Sequence, residues 1–122
     1  MIKIMAVDDE REAELLFNYF FKKEMKENKL RLDFYTSARE CLEAIKENEG
    51  DVDYVLSDIN MPQMDGFEFL HEVHKDYPSI KFFMVSAYEN ATYRKRAKEM
   101  GAFDYVSKPI DFEELKDKIL SL

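Results

Sequence analysis

Short apolar runs alternate with amphipathic stretches five times along this chain. No other feature narrows the fold as much. Strands that alternate with helices connect by right-handed crossovers into a parallel sheet with helices on both faces. Ile2, Ile4, Met5, Ala6 and Val7 form the first run, which ends at Asp8; continuous apolarity suits a strand covered on both sides. Glu10 to about Glu27 predicts a helix, with Ala13, Leu16, Phe17 and Phe20 at helical intervals. Glu10, Glu12 and Glu14 at its start and Lys22, Lys23 and Lys26 at its end match the helix dipole. Leu30, Leu32 and Phe34 alternate with polar residues, as in a half-exposed strand. Ser37 and Glu40 predict a capping box, followed by a helix with Ala38, Cys41, Leu42 and Ile45 on one face and Gly50 just beyond it.

Val52 to Ser57 predicts a third strand, ending at Asp58. A loop from Asn60 to Gly66 leads into a helix that turns Phe67, Leu70 and Val73 inward until Pro78 stops it. Ile80 to Val85 is the fourth run, ending at Ser86; Glu89 to Met100 is a weaker helix closed by Gly101. Phe103 to Ser107 is the fifth, ending at Lys108-Pro109. Asp111 and Glu114 cap a last helix, with Phe112, Leu115, Ile119 and Leu122 on one stripe. The reading is an α/β, doubly wound parallel sheet of five strands, forming a single domain over residues 1–122.

Composition narrows the function. A chain of 122 residues, 46% hydrophobic, can bury a core without staples. The single Cys41 allows no intrachain disulfide. No apolar run reaches the roughly 20 residues of a membrane helix, and Met1-Ile2-Lys3-Ile4 does not open a signal peptide. With 18 basic against 26 acidic residues the net charge is -8, the wrong sign for a phosphate backbone. These readings predict a soluble cytoplasmic domain with neither a nucleic-acid nor a membrane partner.

The residues that end the strands carry the chemistry: Asp8-Asp9, Asp58, Ser86 and Lys108. In a parallel sheet these ends share one edge, where open α/β sheets bind ligands. Three carboxylates brought together repel unless a cation joins them. An all-oxygen set suits a hard ion, Mg²⁺ best, with Mn²⁺ as a second candidate. Mg²⁺ usually completes its shell with water and phosphate oxygens, for which Ser86 and Lys108 are natural partners. An Asp carboxylate can itself accept a phosphoryl group.

The chain resembles the receiver domain of two-component response regulators over essentially its whole length. The resemblance rests on Val7-Asp8-Asp9-Glu10, Ser57-Asp58-Ile59-Asn60-Met61-Pro62, Met64-Asp65-Gly66, Val85-Ser86-Ala87 and Asp104-Tyr105-Val106-Ser107-Lys108-Pro109. It implies a flavodoxin-like (βα)5 fold with strand order 2-1-3-4-5. It implies that Asp58 accepts a phosphoryl group from a histidine kinase or phosphotransfer protein. Asp9 and Asp58 would bind Mg²⁺ directly, Asp8 through water and Asn60 through its backbone carbonyl. Ser86 and Lys108 would hold the phosphoryl oxygens, Tyr105 would turn inward with Ser86 as the switch, and Lys108-Pro109 would be cis. Asn60 and Tyr88 occupy positions that tune phosphoryl lifetime, a bulky Tyr88 shading the attacking water. Such a domain is a phosphoacceptor and not a turnover enzyme. It would act on a downstream protein or output domain through its fourth helix, fifth strand and fifth helix, or pair with a second phosphorylated copy. Five strand-helix units leave nothing in this sequence for an output module.

Competing readings are blander. A haloacid-dehalogenase-like phosphatase also uses an Asp nucleophile and Mg²⁺, but has a second Asp two residues on, where this chain has Glu10. A flavodoxin-like cofactor carrier would not place Asp8-Asp9-Glu10 against a phosphate. Asp8-Asp9 alone would suit a helix N-cap. Cys41 reads as a buried structural thiol, and His71 and His74 as surface or partly packed histidines, one residue short of a zinc-protease spacing. Arg94, Lys95, Arg96 and Lys98 read as a solvated helix face or as a contact surface, with the first favoured.

Overall fold

The computed structural model describes residues 1–87 and 91–120. Five parallel strands, β1 (Ile2–Val7), β2 (Leu30–Tyr35), β3 (Tyr54–Asp58), β4 (Lys81–Ser86) and β5 (Asp104–Ser107), form one sheet in the order β2-β1-β3-β4-β5. Helices α1 (Ala13–Lys26), α2 (Ala38–Glu47), α3 (Gly66–Asp76), α4 (Ala91–Glu99) and α5 (Phe112–Leu120) follow the strands in turn. The flavodoxin-like order is the expected one.

Side chains alternate across the central strands and feed two cores. Ile4 and Ala6 of β1, Leu56 of β3 and Phe83 of β4 pack with Phe17, Phe21, Leu115 and Ile119 under α1 and α5. Met5 and Val7, Val55, Phe82 and Met84 pack with Ile45, Phe69, Leu70 and Ala97 under α2, α3 and α4. Burial on both faces is why β1, β3 and β4 read as continuous apolar runs.

The structure corrects several local expectations. Helix α1 begins at Ala13, not Glu10, because residues 10–14 first close tight i→i+3 bonds: Ala13 N–H donates to Glu10 O at 3.0 Å and Glu14 N–H to Arg11 O at 3.0 Å. Its buried stripe is Phe17 and Phe21, flanked by Ala13 and Met25, while Leu16 (55% exposed) and Phe20 (40%) face outward. The cap at Ser37 is one-way, its hydroxyl accepting from Glu40 N–H. The full reciprocal box forms at Asp65 and Glu68, at the start of α3. Arg94, Lys95, Arg96 and Lys98 are exposed, as a solvated face requires, and the guanidinium groups of Arg94 and Arg96 also lie over the rings of Tyr105 and Phe67. Gly101 closes α4 with φ +101, as expected of a helix C-terminal glycine. The expected start of α4 at Glu89, the stripe residue Leu122 and the lifetime position Tyr88 lie outside the described residues. Among the described residues no helix is long and apolar enough to cross a membrane.

Candidate functional site

The carboxyl ends of β1, β3, β4 and β5 meet at one edge of the sheet. Strand β1 delivers Asp8, which is buried; Asp9 beside it is exposed. Strand β3 delivers Asp58, whose side chain is 15% exposed. Carboxylate oxygens of Asp8, Asp9 and Asp58 all lie within 4.8 Å of one another. Lys108, just past β5, reaches back over them: its Nζ donates to Asp8 Oδ2 at 3.0 Å and lies 3.5 Å from Asp58 Oδ2. Local bonds aim the acids. Glu10 N–H donates to Asp8 Oδ1 at 2.9 Å, and Ile59 N–H to Asp58 Oδ1 at 2.8 Å.

Ser86 ends β4, one residue beyond Val85, the register partner of Asp58, and is 1% exposed. Its carbonyl accepts from Lys108 N–H at 2.8 Å, which ties the ends of β4 and β5 together. The Lys108-Pro109 bond is cis. Tyr105 is buried in the core under α3 and α4. Asn60 is exposed, two residues after Asp58 in the loop that leads to α3. All the described residues named from the strand ends thus gather on one edge, and His71, His74 and Cys41 stand apart on α3 and α2.

Electrostatics set the site's appetite. Burial, with Asp8 adding to it, pushes the Asp58 carboxyl above the usual carboxylate range, although Lys108 and the Ile59 amide pull the other way. Burial works against the Lys108 ammonium, but its bond to Asp8 and the charge of Asp58 outweigh that and hold its proton more firmly than usual. Three carboxylates against one ammonium leave an excess of negative charge facing solvent. Such a set of hard oxygen donors fits a divalent cation of the Mg²⁺ type.

Two contributions do not follow from the motifs themselves: the contact Gly66 makes and an apolar groove. Gly66 packs against the backbone of Asp58 and Ile59, and its N–H donates to Ile59 O at 2.8 Å, so it supports the loop after β3 from beneath. Beside Asp58, a groove of about 390 Å³ runs between α1 and the segment after β5, lined by Leu16, Phe20, Ile110 and Phe112 as well as Asp58 and Lys108. The outward turn of Leu16 and Phe20 creates it.

A family model described as the response regulator receiver domain matches residues 4–120. The two-component response regulator ARR10 of Arabidopsis thaliana is 32% identical over 118 residues, covering 95% of this chain and 20% of its own length. The chain spans about a fifth of the length of the first curated relatives it matches. The response regulator protein TrrA of Thermotoga maritima, solved in complex with Mg(2+)-BeF, is 31% identical, with a TM-score of 0.78 covering 99% of this chain and 98% of that one. A receiver domain protein from Clostridium thermocellum shares the fold with a TM-score of 0.88 at 24% identity, over 99% of this chain and 93% of that one.

Proposed function

The chain belongs to the response regulator receiver domain family of two-component systems, and from that premise we propose that Asp58 is its phosphoacceptor. The observation that carries this is the convergence at one sheet edge of the Asp8, Asp9 and Asp58 carboxylates, within 4.8 Å of one another, with Lys108 in ion-pairing reach of Asp8 and Asp58. In the reaction, an Asp58 oxygen attacks the phosphorus of a phosphohistidine in line. The P–N bond breaks and its electron pair returns to the imidazole. Phosphoryl transfer needs mainly positioning and charge neutralisation. Asp9, Asp58 and the Asn60 carbonyl are assigned to hold Mg²⁺, Asp8 through water, with Mn²⁺ as a substitute. When bound, the metal neutralises charge shared between the carboxylates and the phosphoryl oxygens. Lys108 pairs with those oxygens as a point charge and Ser86 donates its hydroxyl to them. Tyr105 is assigned as the switch ring and Tyr88 and Asn60 as the positions that tune lifetime.

The domain is a phosphoacceptor that assists its own labelling and hydrolysis, in a cytoplasmic setting. Its donor is a histidine kinase or phosphotransfer protein. The open side of Asp58 adjoins the groove of Leu16, Phe20, Ile110 and Phe112, so an incoming donor has apolar surface to bury there. Output passes through α4, β5 and α5 to a downstream protein, an attached output domain or a second copy. The phosphatase alternative is set aside, because the family match is to receivers and Glu10 stands where the second Asp is needed.

The test is incubation with Mg²⁺ and acetyl phosphate. One phosphoryl mass per chain, absent in Asp58→Ala, is expected. Labelling that persists in Asp58→Ala would overturn the assignment, as would rapid multiple turnover on phosphomonoesters.

A further inference from the structure

Helix α4 has little apolar surface to hold it: among its described residues Ala97 alone is buried. Tyr93 adds an edge contact to the Phe67 ring, its centre 5.5 Å away, and two exposed arginines add further contacts. The Arg96 guanidinium carbon lies 4.0 Å from the centre of the Phe67 ring, and that of Arg94 lies 4.7 Å from the centre of the Tyr105 ring. Arg94 also donates Nη2–H to Ser107 Oγ at 3.0 Å and Nη1–H to the Tyr105 carbonyl at 3.5 Å. Both partners belong to the end of β5. Ser107 is the register partner of Ser86, and the next residue is Lys108. A single side chain thus runs from α4 to the strand end that carries the site's ammonium.

We propose that Arg94 is a positioning residue that couples α4 to the phosphoacceptor. This rests on Asp58 being that acceptor. Docked, Arg94 fixes the end of β5, and with it the aim of Lys108 at Asp58. Undocked, it lets that end relax. A helix with so little buried surface shifts at low cost. The contact is specific to arginine. A planar guanidinium can lie over a ring and still donate from its edge, whereas a lysine keeps the charge but cannot do both. Coupling of this kind is reciprocal: a partner that moves α4 changes the affinity of Asp58 for a phosphoryl group, and an occupied Asp58 tightens α4.

Beryllofluoride with Mg²⁺, a non-covalent phosphoryl mimic, reads both ends. It is titrated into wild type, Arg94→Ala and Arg94→Lys, with Asp58→Ala marking any binding elsewhere. Affinity and the amide resonances of Ala91–Glu99 are followed together, and the dispersion of the remaining amides reports that each variant is folded. Affinity is expected to fall about fivefold or more in both Arg94 variants. The α4 resonances are expected to follow the titration in wild type and to lose that response in the variants. A purely structural arginine would lower the melting temperature without separating these two readouts. Wild-type affinity and a wild-type α4 response in Arg94→Ala would overturn the proposal, and so would full rescue by Arg94→Lys. Failure of wild type itself to bind through Asp58 would overturn the phosphoacceptor reading first, and is recognised because wild type and variants then fail alike.

Discussion

The ammonium of Lys108, just past β5, sits 3.5 Å from the carboxylate of Asp58 at the end of β3, although β4 lies between those strands in the sheet. The same ammonium is bonded to Asp8 at 3.0 Å. It is therefore poised between two carboxylates that would otherwise repel, at the place where the proposed phosphorylation of Asp58 would bring new negative charge. Lys108→Met removes a charged hydrogen bond to the incoming oxygens. Affinity for beryllofluoride in Mg²⁺ is expected to fall by about ten- to a hundredfold, the equivalent of one such bond. Calorimetric titration checks it, and an unchanged affinity would show that Lys108 does not reach the phosphoryl group.

Asp58 is held above the usual carboxylate range by burial, with Asp8 contributing. A carboxyl with a folded-state pKa above its unfolded value penalises the fold when ionised. The penalty is absent below the unfolded pKa and develops as pH rises through the folded one. Without metal, Asp58→Asn is therefore expected to be more stable than wild type at about pH 7, with the difference closing toward about pH 3. Thermal melts across that range in a chelating buffer decide the sign. A variant less stable than wild type at neutral pH would mean that the pairing with Lys108 outweighs burial.

Divalent cations should act in the opposite direction. A ligand that binds only the folded state adds stability by mass action, about 2.7 kcal/mol at roughly a hundredfold excess over its Kd. Mg²⁺ is expected to raise the melting temperature of wild type, chelation to reverse it, and Asp9→Asn to blunt it. Asp9 suits this test because it is exposed and its loss leaves the packing intact. A full Mg²⁺ response in Asp9→Asn would remove it from the ligand set.

Gly66 joins the fold to the site. A Cβ there would strike the carbonyl oxygen of Asp58 and come within 2.8 Å of Ile59 Cα, both backbone atoms that cannot swing away. Gly66→Ala is expected to cost about 1–3 kcal/mol as an overpacking change. It should also displace Asp58, slowing labelling by acetyl phosphate more than a destabilised but undisturbed site would allow. Denaturant titration and the labelling rate together check this; a stability loss with an unchanged rate would confine Gly66 to packing.

What the sequence made legible depended on how each residue is determined. Strands β1, β3 and β4 are buried on both faces, so their runs and the polar residues that end them stand out, and the parallel topology then brings those ends together. Helix α1 was harder. Leu15, Leu16, Phe17, Phe20 and Phe21 offer more apolar side chains than one stripe can bury, and periodicity alone cannot choose among them. The sheet chooses Phe17 and Phe21. Arg94 and Arg96 read as solvated charge because a charge pattern does not reveal which guanidinium plane meets a ring. Gly66 was visible as part of a motif, but its contact with Asp58 is a matter of close backbone approach.

The surplus apolar side chains of α1 carry the last prediction. Leu16 and Phe20 line the groove beside Asp58, and Phe20 is held there by stacking on Phe112, ring centres 4.3 Å apart. Their exposure gives the fold little, and under the proposed function it would give an incoming donor protein a surface to bury. Leu16→Asp places a charge on that surface without entering either core. Its loss of apolar contact is worth about 1–3 kcal/mol at a well-packed interface, or roughly ten- to a hundredfold in transfer from a cognate phosphohistidine protein. Labelling by acetyl phosphate, which needs no docking surface, should stay at the wild-type rate. Equal losses with both donors would place the defect in the site itself, and no loss with either would mean that the donor approaches Asp58 from another side.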